Sequence, residues 1–156
     1  MGKQRRLVGA LGVAAALAFG AVGVAGATGG TTNPGDQGCT PGYWKNHTDS
    51  WVYYSPSGTI GDTLPGIVNL NGVPGSTTLL AALDGGGGPG AKGATQILIR
   101  ALVAGKLNSA QLSYPDVFKD SQVAAAVAAI NAGDRDAMLA LAAQIDAQNN
   151  LGCPLN

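Results

Sequence analysis

The residue types able to do chemistry are crowded into one stretch, GCTPGYWKNHTDSW at 38–51. It holds a cysteine, a tyrosine, two tryptophans, a lysine and the only histidine of the 156 residues. His47, with Asp49 close by, has the makings of a general base, so a secreted hydrolase using His47 and an Asp is one function to weigh. The rest of that machinery is missing. Ser50, Ser55 and Ser57 are near in sequence, but no G-x-S-x-G elbow presents a nucleophile. A single His and the absence of Glu remove the H-E-x-x-H zinc pattern, and two Cys are too few for a structural zinc site. The runs DRD at 134–136 and DSQ at 120–122 lack the spaced acids, Gly turn and closing acid of a calcium loop, and fit helix caps instead. GGGGPG at 85–90 lacks the G-x-x-x-x-G-K-[ST] order of a phosphate cradle. A pair of catalytic carboxylates among the Asp residues is neither placed nor rejected by spacing. The expectation is no catalytic residue, no metal and no cofactor.

The aromatics offer two readings. Exposed, Tyr43, Trp44, Trp51, Tyr53 and Tyr54 would be a stacking platform for sugar rings or a protein-binding patch. Buried, they are bulk for a core otherwise built from Ala and Leu. Five of the seven aromatics beyond Phe19 lie between 43 and 54. Trp44 and Trp51 are therefore expected in the core. His47 is expected to be structural, hydrogen-bonded and partly buried on the same face. Tyr43, Lys45, Tyr53 and Tyr54 are the candidates for touching a ligand. Asn46-His47-Thr48 fits the glycosylation sequon, which matters only in a host that glycosylates.

Residues 1–27 have the form of a secretory signal: Lys3, Arg5 and Arg6, an apolar run from Leu7 to about Val24, then Ala25-Gly26-Ala27 of the A-x-A type. The run is near bilayer length, so a retained anchor is the competing reading. The small-residue exit favours cleavage, and no membrane span is expected afterwards. Three of the nine basic residues leave with the signal, so six face nine acids, all Asp. That balance argues against nucleic acid, whose phosphates need clustered Lys and Arg. In an exported chain the two cysteines, Cys39 and Cys153, read as a disulfide.

These residues must be positioned by the rest of the chain. Residues 28–37 are a polar, Gly/Pro-rich lead-in expected to be flexible. Thr40-Pro41 starts a short helix over about 41–47. Residues 55–75 read as loop, with a short strand or hairpin near Ile67–Val73. Ser76 is expected to cap a short helical run, and GGGGPG to form a flexible surface loop. From Ala91, Ile97, Leu98, Ala101, Leu102 and Leu107 make an apolar stripe ending near Lys106. NSAQLSYPD is a connector, and Asp120 or Ser121 caps the next helix, marked by Val123, Val127 and Ile130. Asp134 caps a last helix carrying Met138, Leu141 and Ile145, closed by Gly152 at C′ and Pro154. The fold class is mainly α: one helical domain over 38–156, loop-rich in its N-terminal half and closed by one disulfide, Cys39–Cys153.

CTPGYWKNH with a nearby Trp, an Ile-Leu-Ile-Arg-Ala-Leu helix ending in Leu-Asn, then SYP and a terminal NNLGCPL, together resemble a recurrent module of secreted and cell-surface proteins. It is recognised by its C-T-x-G-Y-W-K-N-H motif, and the likeness spans about 38–156. Cys39 and Cys153 match its outer positions; Tyr43, Trp44, Lys45, His47 and Trp51 match the opening block; Arg100, Asn108 and Tyr114 match the middle. Gly105-Lys106 departs from an Ala-Leu-Leu run and is expected to loosen that helix's end. The resemblance implies an extracellular module, often joined to adhesion-type regions, with no established activity or cofactor. The expected function is a non-enzymatic structural or interaction module of the cell surface or matrix, with a protein or glycan partner. A carbohydrate- or ligand-binding module is the alternative.

Overall fold

The computed structural model describes residues 35–155. The expected signal at 1–27, and the lead-in up to residue 34, lie outside them. Among the described residues there is no strand, only two isolated bridges, Gly38 with Gly152 and Thr59 with Thr78. The fold is a small, mainly α domain.

Its helices start where short hydroxyl and carboxyl side chains can take a free backbone N–H. Thr40 accepts from the Tyr43 N–H and opens α1, Pro41–Asn46, with Pro41 at its first position. A single 3₁₀ turn follows at Thr48–Ser50. Thr59 opens α2, Ile60–Thr63, and Thr78 opens α3, Leu79–Leu83. Ser76 is thus not the cap: the bridge between Thr59 and Thr78 sets both starts side by side, and Thr78 takes the Ala81 N–H. The helix α4 spans Gly90–Gln111 and is the longest of the described residues. Asp134 accepts from the Ala137 N–H and opens α6, Arg135–Asn149.

Between α4 and α6 the chain makes a π-helical stretch at Phe118–Gln122 that passes into α5, Val123–Ala132. Neither Asp120 nor Ser121 caps it, because helical turns already begin at Asp116 and Ser121 Oγ donates to the Val117 carbonyl. The wide turn coincides with the burial of Phe118, whose ring lies against Gly105 of α4; a β-carbon at Gly105 would sit 2.5 Å from Phe118 Cε2. Gly105 therefore accommodates a neighbour instead of loosening α4, which continues six residues beyond it to Gln111. Gly133 ends α5 in the left-handed conformation, φ 66°.

The expected strand near Ile67–Val73 is absent. Asn69 Oδ1 accepts from the Asn71 N–H and Asn71 adopts φ 53°, a local turn that competes with strand pairing. The 85–90 loop is less free than its composition implies, since a β-carbon at Gly93 would fall onto the Gly88 backbone. Gln37, assigned to the flexible lead-in, is also pinned: its N–H donates to the Ser113 carbonyl at 3.1 Å and its side chain accepts from the Ser113 N–H.

The core lies between α4 and α6, which share the most extensive contact, with α3 and α1 packed on α4. Leu98, Leu102 and Leu107 of α4 meet Met138, Ala142 and Ile145 of α6, all fully buried or nearly so. Trp44, Phe118 and Tyr114 supply the bulk the alanines lack. Cys39 and Cys153 form the disulfide, closing a separation of 114 residues. A loop of that size removes roughly 4–5 kcal/mol of unfolded-chain entropy in the loop-closure model.

Candidate functional site

The opening stretch divides into an inward set and an outward set. Trp44 is fully buried and Trp51 nearly so, as expected. Their indole N–H groups are both satisfied: Trp44 Nε1 donates to Asn108 Oδ1 at 2.9 Å, and Trp51 Nε1 donates to the Trp44 carbonyl at 3.0 Å. Asn108 is the centre of this inward set. Its Oδ1 also accepts the Cys39 N–H at 2.8 Å, while its Nδ2 donates to the Cys39 carbonyl and to Asn149 Oδ1, both at 2.9 Å. An amide side chain thus pairs with the Cys39 peptide as a neighbouring strand would. Asn149 adds a bond from its Nδ2 to the Ala101 carbonyl and accepts the Tyr114 hydroxyl at 2.7 Å. Every polar atom of both asparagine side chains is used, which is what a buried amide needs.

This network was partly missed in the sequence. By pattern Asn108 opens the connector that stops at Pro115, while the resemblance marks it as a landmark at a helix's end. It lies in α4 instead, fully buried, and its bonds to Cys39 offset the unfavourable local propensity. Asn149 carried no signal beyond standing in the last turn of an apolar helix. Gly152 is not the C′ residue of α6. Asn150 occupies the cap, and Gly152 at φ 130° instead exchanges backbone hydrogen bonds with Gly38, which brings Cys153 beside Cys39.

Burial pushes the Tyr114 hydroxyl well above the usual tyrosine range, and the charge of Asp146 adds to this. The Asp146 carboxyl is itself raised by burial, with the Arg100 guanidinium pulling the other way. Asp146 Oδ1 is shut off from solvent and has no hydrogen-bond partner.

The outward set is Tyr43, Lys45, Asn46 and His47. His47 is exposed, which corrects its assignment to the buried structural face. The cause is local: α1 ends at Asn46, and His47 turns out of the helix at φ −127°, ψ 58°, so it does not continue the Trp44–Trp51 face. It is still ordered by the helix. Its ring stacks on Tyr43 at 4.2 Å between centroids and 12° between planes, and Nδ1 lies 2.9 Å from the Tyr43 carbonyl. A carbonyl only accepts, so Nδ1 is the donor in this contact. Tyr43 in turn meets Trp44 edge to face at 5.3 Å and donates its hydroxyl to the Leu155 carbonyl. Lys45 pairs with Asp84 at 2.6 Å.

Two shallow grooves flank α1. One, of about 410 Å³, is lined by Tyr43, Asn46, His47, Asn150, Gly152 and Cys153, together with Gly38, Thr40 and Gly42. The other, of about 330 Å³, is lined by Lys45, Leu83, Arg100 and Asp146, and shares Thr40, Gly42 and Asn150 with the first. No Asp lines the groove that holds His47. Tyr53 is 71 % exposed and Tyr54 half-buried against the core, and neither lines these grooves. The four ligand-contact candidates do not gather in one groove: Tyr43 and Lys45, both on α1, line one groove each, and the other two stand apart. Among the described residues no group of three or more His, Cys, Asp or Glu is placed to hold a metal, and no helix is long and apolar enough to cross a membrane.

Compared with known proteins, the chain matches no family description, no curated protein and no solved structure.

Proposed function

We propose that the protein is a secreted, non-enzymatic interaction module of the cell surface or extracellular matrix. One observation carries this reading. Half of the opening stretch is spent on architecture: Cys39 and Trp44 are bonded through Asn108 to Asn149 and Tyr114 inside the domain. What faces outward is a lone imidazole whose groove contains no carboxylate, beside an aromatic ring and two amides. Such a surface suits recognition better than proton transfer, which needs an oriented partner for the base. The disulfide is compatible with an oxidising, extracellular compartment.

Two measurements test the reading together. Labelled protein should bind saturably to the surface or matrix of its producing cells. Assays against glycoside, ester and peptide substrates should show no turnover, and turnover abolished by His47→Ala would overturn the proposal.

A further inference from the structure

We propose that the paired grooves around α1 form one saccharide site, taking a short, uncharged glycan across Gly42. The proposal rests on the interaction-module reading and names its ligand. The two grooves meet at Thr40, Gly42 and Asn150, and Gly42 has no side chain to wall them apart. An extended ligand can therefore lie in both.

In the first groove the recognition groups are held in advance. The His47 and Tyr43 rings are fixed by their stack and by the bond to the Tyr43 carbonyl, so little side-chain entropy is lost when a sugar face packs on them. Asn46 spends its Nδ2 on the Gly42 carbonyl, and Asn150 spends its Nδ2 on the Asp146 carbonyl. Among the described residues no donor reaches either Oδ1. Each Nδ2 keeps its second N–H and Thr40 keeps its hydroxyl hydrogen, so the groove offers uncharged donors and acceptors together, which suit the hydroxyls of a sugar. The second groove adds the opposite kind of group in balance. Lys45 is neutralised by Asp84, and Arg100 stands near Asp146, so neither sign dominates. Aromatic faces, fixed planar amides and a balanced charge are the chemistry that reads a neutral polyol.

The test is a titration of the purified protein with neutral oligosaccharides chosen by a glycan array, followed by amide chemical shifts. Binding should move resonances of residues 40–47 and 150–153. His47→Ala removes an exposed ring and should weaken binding about tenfold or more with an unchanged thermal midpoint. A β-carbon at Gly42 would make one ordinary contact, with Thr40 Oγ1 at 3.7 Å. Gly42→Phe should therefore fold and abolish binding by filling the junction. Tyr53→Ala should bind as the parent does. Absence of any saccharide binding, or binding that survives Gly42→Phe, overturns the proposal. If the protein instead binds its cells through an extracellular protein, and Gly42→Phe blocks that, the glycan inference fails while the interaction-module reading stands. Loss of both kinds of binding would sink both.

Discussion

Two asparagine side chains do the same job at opposite ends of the domain, in different surroundings. Asn108 holds the Cys39 peptide and the Trp44 indole on α4. Asn131, at the end of α5, holds the loop between α2 and α3: its Oδ1 accepts from Val68 and Asn69 N–H, and its Nδ2 donates to the Gly66 carbonyl. Asn71 extends that second hub to Thr95 Oγ1 and the Ile130 carbonyl. In each case an amide stands in for a missing strand and gives irregular backbone its hydrogen-bond partners. The first hub is sealed and the second is half open. Water can replace a lost partner at Asn131 but not at Asn108, so the same chemistry carries a different weight.

The largest expected effect follows from that contrast. Asn108→Ala leaves the Cys39 N–H, the Cys39 carbonyl and the Trp44 indole without partners in a dry site. At 1–3 kcal/mol for each stranded group, partly relieved by relaxation, the loss should be roughly 3–5 kcal/mol. That is a large part of the stability of a domain this size. The protein has only two tryptophans, Trp44 and Trp51, and both belong to this hub. Intrinsic fluorescence during urea unfolding therefore reports on it directly. A midpoint unchanged from the parent would break the account of the opening motif as architecture.

Asn131→Ala should cost less, about 0.5–1.5 kcal/mol, because the freed Val68, Asn69 and Gly66 groups can turn to solvent. Native tryptophan emission should not change, while hydrogen exchange at Val68 and Asn69 should accelerate. Equal losses at the two positions would mean that burial does not set the difference, and the comparison would fail.

Local signals in the sequence hold where a side chain alone decides a helix end, and fail at Ser76, Asp120, Ser121 and Gly152, where neighbouring backbone sets the boundary. Thr40-Pro41 and Asp134 announce their helices because a cap is decided within three residues. Gly133 likewise stops α5 through its own left-handed backbone. The disulfide was legible because only one pairing exists. Asn108, by contrast, bonds to Cys39 across 69 residues, and nothing local distinguishes it from a loop asparagine. Asn131 and Val68 are 63 residues apart, and the loop they order holds no strand or hairpin where the sequence suggests one. The aromatics were read correctly at the tryptophans, whose burial follows from the scarcity of other bulk. His47 was misplaced because three- and four-residue spacing was carried past the helix's last residue. The outward grooves are partly legible through Tyr43 and Lys45, but Asn150 and Asp146, about a hundred residues on in the chain, reach them only through tertiary packing.

The smallest expected effect concerns charge, which touches the sealed hub alone. Asp146 sits one turn before Asn149, and its carboxyl is raised by burial, against the pull of Arg100. A raised carboxyl means the folded protein binds that proton more tightly than the unfolded chain does. Its contribution is then most favourable below the ordinary Asp value and declines as pH rises from there through the folded value. Once ionised, Asp146 is a charge held in a poor site, with Oδ1 unpaired. Asp146→Asn keeps the shape and removes the charge, so that acid-side decline should flatten, and stability at neutral pH should change by less than about 1 kcal/mol. The same substitution reaches Tyr114, whose hydroxyl is raised by burial and then by Asp146. Because the folded state holds the tyrosine proton more tightly, stability falls as pH rises above the ordinary tyrosine value. Without the Asp146 charge, Tyr114 should ionise at a lower pH, which absorbance of the tyrosinate follows directly. Asn131→Ala should leave both pH profiles in place. Acid-side stability profiles that coincide for the parent and Asp146→Asn would show that Asp146 is solvated in solution, and that the hub around Asn108 is less sealed than its contrast with Asn131 requires.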